Sequence, residues 1–251
     1  MRFKLAAVLF LFLFAAGGGI NAAGLKKSIP EIARCRQLIV VTTAGWETSV
    51  ARVNCYEREA GGPWRMVERT FPAVVGRNGM AWGIGLHGAA PADAPVKREG
   101  DSRAPAGVFR LNEIFGFATP AASGITRFPY VQLTATSEGI DDSRSRYYNR
   151  VIDASRIKDR DWATSETMKT PSGAYRWGVF VEHNWDRQPG AGSCIFIHRW
   201  QGQERGTSGC TGMPPSSLLG LIRWLDASKQ PLLVQLPARE YERLKARWGL
   251  P

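Results

Sequence analysis

The sequence has no apolar run long enough to cross a bilayer. The run over residues 5–14 covers ten positions, whereas a spanning helix needs about 20. Arg2 and Lys4 precede that run and small residues around Ala22 and Ala23 follow it. Residues 1–23 therefore read as a secretory signal peptide, with an uncleaved anchor as the alternative. No cysteine closely follows the run, which excludes lipid attachment there. Zinc-finger spacing is missing, and so is any Lys/Arg-rich helix interleaved with aromatics. Nucleic acid is thus not an expected partner, although 33 Lys and Arg face only 22 Asp and Glu. Loss of Arg2 and Lys4 with the signal takes the formal charge from +11 to +9. Such a surface is drawn to anionic envelope polymers, which bears on location and encounter rate rather than chemistry.

Histidine and cysteine are scarce, at three and four residues, so candidates for thiol or imidazole chemistry can be taken singly. About 225 residues remain after processing, enough for one core without metal or dense cross-links. Many short strands, glycine-rich turns and few helices predict a mainly β domain with peripheral helices. It spans 37–237, with a linker over 24–36 and a basic amphipathic tail over 238–251. A monomer is expected. Residues 37–43 and 49–56 read as a hairpin whose flanking Cys35 and Cys55 are candidates for a disulfide in an oxidising compartment. Residues 76–107 carry many glycines and prolines and read as a long connection, with His87 as a solvated loop residue. Strands are expected over 108–111, 130–136 and 231–236, and helices over 162–168 and 216–227. The tail over 240–248 should dock on the domain through Tyr241, Leu244 and Trp248, membrane-surface binding being the alternative.

The chemistry concentrates in 193–212. Alternation in Ser193-Cys-Ile-Phe-Ile-His198 places Cys194, Phe196 and His198 on one strand face. Twelve residues past His198, Cys210 follows Gly209, where the chain can turn sharply and present N–H groups beside the sulfur. A thiol and an imidazole joined by one short connection are the parts of a nucleophile–base pair. The N–H groups of Ser208, Gly209 and Cys210 are candidate oxyanion donors. Cys194 reads as a buried packing residue, with a spare nucleophile or a partner for Cys210 as the alternatives. His183, beside Asn184, alternates with Val179 and Val181 and is either a satisfied core residue or a second cleft histidine. Zinc held by His183, His198 and Cys210 is chemically conceivable, but the spacing fits no zinc pattern, so no metal or cofactor is expected. The adjacent acids Asp141 and Asp142 have Arg144 and Arg146 at hand and read as a salt-bridged loop.

The stretch Pro189-Gly-Ala-Gly-Ser-Cys-Ile-Phe-Ile-His198, followed by Thr207-Ser-Gly-Cys210, resembles the catalytic segment of the L,D-transpeptidase (YkuD-like) family, bacterial enzymes that remodel peptidoglycan. Gly100-Asp101 with Pro105-Ala-Gly107, Asp141 to Asn149, Trp162 with Glu166-Thr-Met168, and Tyr175 to Asn184 are also similar to it. Ser208 stands where the best-known members carry histidine, as in a Thr-x-Gly-Cys branch. The resemblance implies a β-sandwich with peripheral helices, a Cys210 nucleophile and a His198 base. It also implies a thioester with a tetrapeptide stem, release of D-Ala, and transfer to an amine. Hydrolysis of the same acyl-enzyme, as in an L,D-carboxypeptidase or related amidase, and a non-catalytic peptidoglycan-binding protein are the alternatives. Ser193, Thr207, Arg146, Tyr147, His183 and Asn184 are expected in or near the substrate cleft.

Overall fold

Strand β1 (Gln37–Thr43) is an aliphatic and β-branched run buried on nearly all sides, as a central strand must be. Strand β2 (Val50–Glu57) alternates, burying Ala51, Val53 and Cys55 against exposed Val50 and Arg52. The computed structural model describes residues 24–67 and 70–251; the signal peptide expected over 1–23 lies outside the described residues. Around these two strands come α1 (Pro30–Arg34), β3 (Arg65–Met66), β4 (Phe71–Val74), β5 (Met80–Trp82), β6 (Ala104–Gly116), α2 (Pro120–Ser123), β7 (Tyr130–Gln132), β8 (Ser137–Ile140) and β9 (Arg150–Asp153). Then follow β10 (Glu166–Thr167), β11 (Trp177–Val181), β12 (Phe196–Arg199), β13 (Thr211–Met213), α3 (Pro215–Trp224), β14 (Leu232–Pro237) and α4 (Ala238–Trp248).

The architecture is mainly β. The principal sheet runs β1-β14-β6-β11-β12-β13-β4-β2, and pairing of β2 back onto β1 closes it around the core. Closure removes the exposed edges that an open sheet would present. β8, β9 and β10 form a separate small sheet. Helix α3 starts with Pro215 at its first turn and buries Leu218, Leu221 and Ile222 at helical spacing. Helix α4 buries Tyr241, Leu244 and Trp248, and Trp248 Nε1 donates to Lys26 O at 3.1 Å.

Four expectations are corrected. Residues 24–36 do not behave as a linker: Leu25, Ile29 and Ile32 are buried, and Arg58 donates to the carbonyls of Ile32 and Cys35. Cys35 and Cys55 are not bridged. The β1–β2 register sets Cys55 opposite Ile39, four positions from Cys35, and Cys35 Sγ instead donates to Gln37 O at 2.8 Å. Residues 162–168 are not helical; Glu166 and Thr167 pair with β8 because Ser165 and Trp162 hydrogen-bond to Glu138 on that strand. His87 is not solvated but fully buried, with Nδ1 accepting from Val108 N–H and Nε2 donating to Gly83 O. Gly107, at φ +140°, is required there, since a Cβ would fall 2.0 Å from the His87 ring.

Candidate active site

β12 and β13 run parallel, with Ile197 opposite Thr211 and His198 opposite Gly212. Side chains alternate, so Cys210, one residue before Thr211, projects to the same face as Phe196 and His198. Cys210 and His198 line one cleft of about 470 Å³. The Phe196 N–H points at Cys210 Sγ at 3.3 Å.

The turn carrying the thiol is held by one hydroxyl. Thr207 Oγ1 donates to Cys210 O at 2.6 Å and accepts from Gly209 N–H at 3.1 Å. Gly209 has φ +152°, and a Cβ there would press on Arg103 O and Ile195 at 3.2 and 3.3 Å. The Gly209 amide is thus committed to Thr207. Among the described residues the amides of Ser208 and Cys210 have no partner, which leaves them as the candidate oxyanion donors of this turn.

His198 Nδ1 lies 2.7 Å from Arg199 O. A carbonyl only accepts, so Nδ1 carries the proton and Nε2 is left as the basic atom. The Tyr175 ring meets the imidazole edge-on at 4.9 Å, and its hydroxyl donates to Glu166 Oε1 at 2.6 Å. Burial lowers the His198 pKa to about 4, although its bond to Arg199 O works the other way. Burial also pushes Cys210 up to about 12, reinforced by Glu166 and opposed by the Phe196 N–H and Lys97. The resting pair is therefore neutral thiol and neutral imidazole.

The other residues singled out in the sequence separate into two groups. Ser193 and Thr207 line the cleft, as does Cys194. Cys194 is not on the strand; its φ is +53° and its thiol faces Ile140 O at 3.7 Å. His183 and Asn184 do not reach the cleft. β11 stops at Val181, and His183 is buried with Nδ1 accepting from Ile84 N–H and Nε2 donating to Ala191 O. Both ring nitrogens are used, which removes it as a companion metal ligand for His198. Asn184 holds the 188–192 loop through Gln188 and Gly192. Arg146 and Tyr147 turn outward to Asp161 and Trp162.

Of the Arg146–Asn149 segment, which the resemblance placed near the cleft, Asn149 is the residue that bonds behind it. Its Nδ2 donates to His183 O and Asn184 O while its Oδ1 receives Cys194 N–H at 2.8 Å, so it ties three segments behind the cleft. Sequence reasoning did not separate Asp141 from Asp142. Asp142 is saturated by Arg144 and the Ala163 amide, whereas Asp141 lines the cleft. Asp141, Glu166 and Tyr175 all lie within the stretches similar to the family, which was the available signal.

Comparison with known families matches residues 51–234 to the YkuD model, described as the L,D-transpeptidase catalytic domain. No curated protein matches the chain, and no solved structure does.

Proposed function

The chain belongs to the YkuD family of L,D-transpeptidase catalytic domains, and on that premise we propose that it is an exported peptidoglycan L,D-transpeptidase with Cys210 as nucleophile and His198 as base. The observation that carries this reading is the His198 tautomer. Nδ1–H is tied to Arg199 O, so Nε2 is free to accept a proton on the face that carries Cys210.

Both groups rest neutral, so removal of the thiol proton accompanies attack instead of preceding it. Nε2 takes the proton as Sγ bonds to the carbonyl carbon of the peptide bond before the terminal D-Ala. The oxyanion is received by the Ser208 and Cys210 N–H groups, an interaction that contributes about 3 kcal/mol per donor in comparable sites. Collapse breaks the C–N bond, and the imidazolium returns its proton to the departing D-Ala nitrogen. An amine of a second stem, from its diamino acid, then attacks the thioester. Its proton passes to Nε2, and Cys210 leaves and is reprotonated. Export is proposed from residues 1–23, and the surface charge of +9 after processing suits an anionic envelope.

The test is mass spectrometry of wild-type and Cys210→Ala protein incubated with a disaccharide-tetrapeptide. A 3→3 cross-linked dimer absent from the variant is the expected result. Tripeptide with free D-Ala and no dimer assigns the acyl-enzyme to hydrolysis. Absence of both product and thioester adduct overturns the enzyme reading.

A further inference from the structure

We propose that the carboxylate wall of the cleft, Asp141 with Glu166 and Glu99, binds a free primary ammonium of the peptide substrate and selects stems that carry one. The inference rests on the transpeptidase reading of Cys210 and names what that site recognises.

All three acids line the cleft that holds Cys210. Two buried acceptors there are unused. Asp141 Oδ1 has no hydrogen-bond partner among the described residues, and neither has Ser193 Oγ, on a side chain only 8% exposed. The nearby Tyr148 phenol gives its one proton to Glu99 Oε2 at 2.6 Å and accepts from Gly192 N–H at 3.1 Å, so it leaves the acceptor lone pairs of Ser193 Oγ unfilled. Glu166 likewise receives only a neutral phenol, from Tyr175. Among the described residues none of the three makes an ion pair, while the adjacent Asp142 is paired with Arg144. Buried acceptors without donors, on a wall of like charge without a cation, carry a penalty that an incoming cationic donor relieves.

The chemistry selects an ammonium. No three acids, histidines or cysteines among the described residues converge closely enough to hold a metal ion. An ammonium presents three N–H donors that can reach acceptors spread along a wall. The cleft's cations, Arg77 and Arg205, enter from a different segment, where Arg77 N–H is tied to Thr207 O. Among the described residues no ion pair joins either arginine to the three acids, so unpaired charges of both signs line the cleft, which fits a peptide carrying both an amine and a carboxylate.

Binding tests this without turnover. Cys210→Ala protein is titrated at low salt with two tetrapeptides that differ only in a free or an acetylated side-chain amine on the third residue. The free amine should bind roughly tenfold more tightly, the worth of one charge-assisted hydrogen bond. Adding Asp141→Asn, or separately Glu166→Gln, should bring the ratio towards one, with thermal melting used to verify folding. Equal affinities for the two peptides, no binding of the free-amine peptide, or a preference that survives both substitutions overturns the proposal. Failure of the transpeptidase reading looks different: wild-type protein then leaves the free-amine peptide unreacted although the binding preference is present.

Discussion

His198 and His183 are both buried, and burial brings the pKa of each to about 4. They are opposite tautomers. His183 accepts at Nδ1 and donates at Nε2, both to main chain, and His87 repeats that arrangement. His198 donates at Nδ1 to Arg199 O and leaves Nε2 without a partner among the described residues. Burial and a depressed pKa therefore do not mark a functional histidine here. What sets the proposed base apart is its open nitrogen, and it is open because a carbonyl of the next residue occupies the other one.

The comparison can be broken by substitution. Cys210→Ala should remove acyl-adduct formation by at least ~10⁴-fold, as loss of a nucleophile does elsewhere, while Cys194→Ala retains it. Intact-protein mass spectrometry after substrate addition measures both. His198→Gln should lower the acylation rate by roughly 10²–10⁴-fold, the usual range for a lost general base. His183→Leu should instead cost about 2–5 kcal/mol of stability, because it orphans the Ile84 N–H and the Ala191 carbonyl. Urea unfolding, set beside adduct formation per folded molecule, separates those two outcomes.

Acid should reveal what the histidines share. Each binds its proton less readily folded, at about 4, than at the ordinary value of 6.5. Between those values the unfolded chain holds more protons, so stability is full above about 6.5 and declines as pH falls towards 4. At about 1.4 kcal/mol per pKa unit, the fall from 6.5 to about 4 is worth up to about 3–4 kcal/mol at each site before relaxation reduces it. Replacing His87 or His183 with a non-titrating residue should flatten the curve of urea midpoint against pH. The smallest effect expected is from Thr207→Val, about tenfold in acylation, since it removes one donor and one acceptor that hold the Cys210 turn. Alkylation of Cys210 by a neutral thiol reagent should rise through pH 10 without a plateau, its pKa being pushed up to about 12.

Local signals were strong where one element carries the whole argument. Gly209 before Cys210, the Phe196–His198 part of the alternation, and the apolar stripe of α3 could all be read from neighbouring residues. The expected disulfide failed because flanking a hairpin says nothing of register, and the ladder sets Cys35 and Cys55 four positions apart. The helix expected over 162–168 failed because its polar groups bond to β8, a partner remote in sequence. The cleft positions of Arg146 and Tyr147 failed for the same reason, since Asp161 and Trp162 draw them outward.

By itself the sequence determined the β-rich class, the candidate thiol and imidazole, and the turn that carries the sulfur. These follow from side-chain period and glycine geometry, which act over a few residues. Tertiary structure alone decided which histidine keeps a free nitrogen, which of two adjacent aspartates is left unpaired, and which turn amides stay open. Each of those depends on a hydrogen bond to a group whose position is fixed only when strands distant in the chain close around one core.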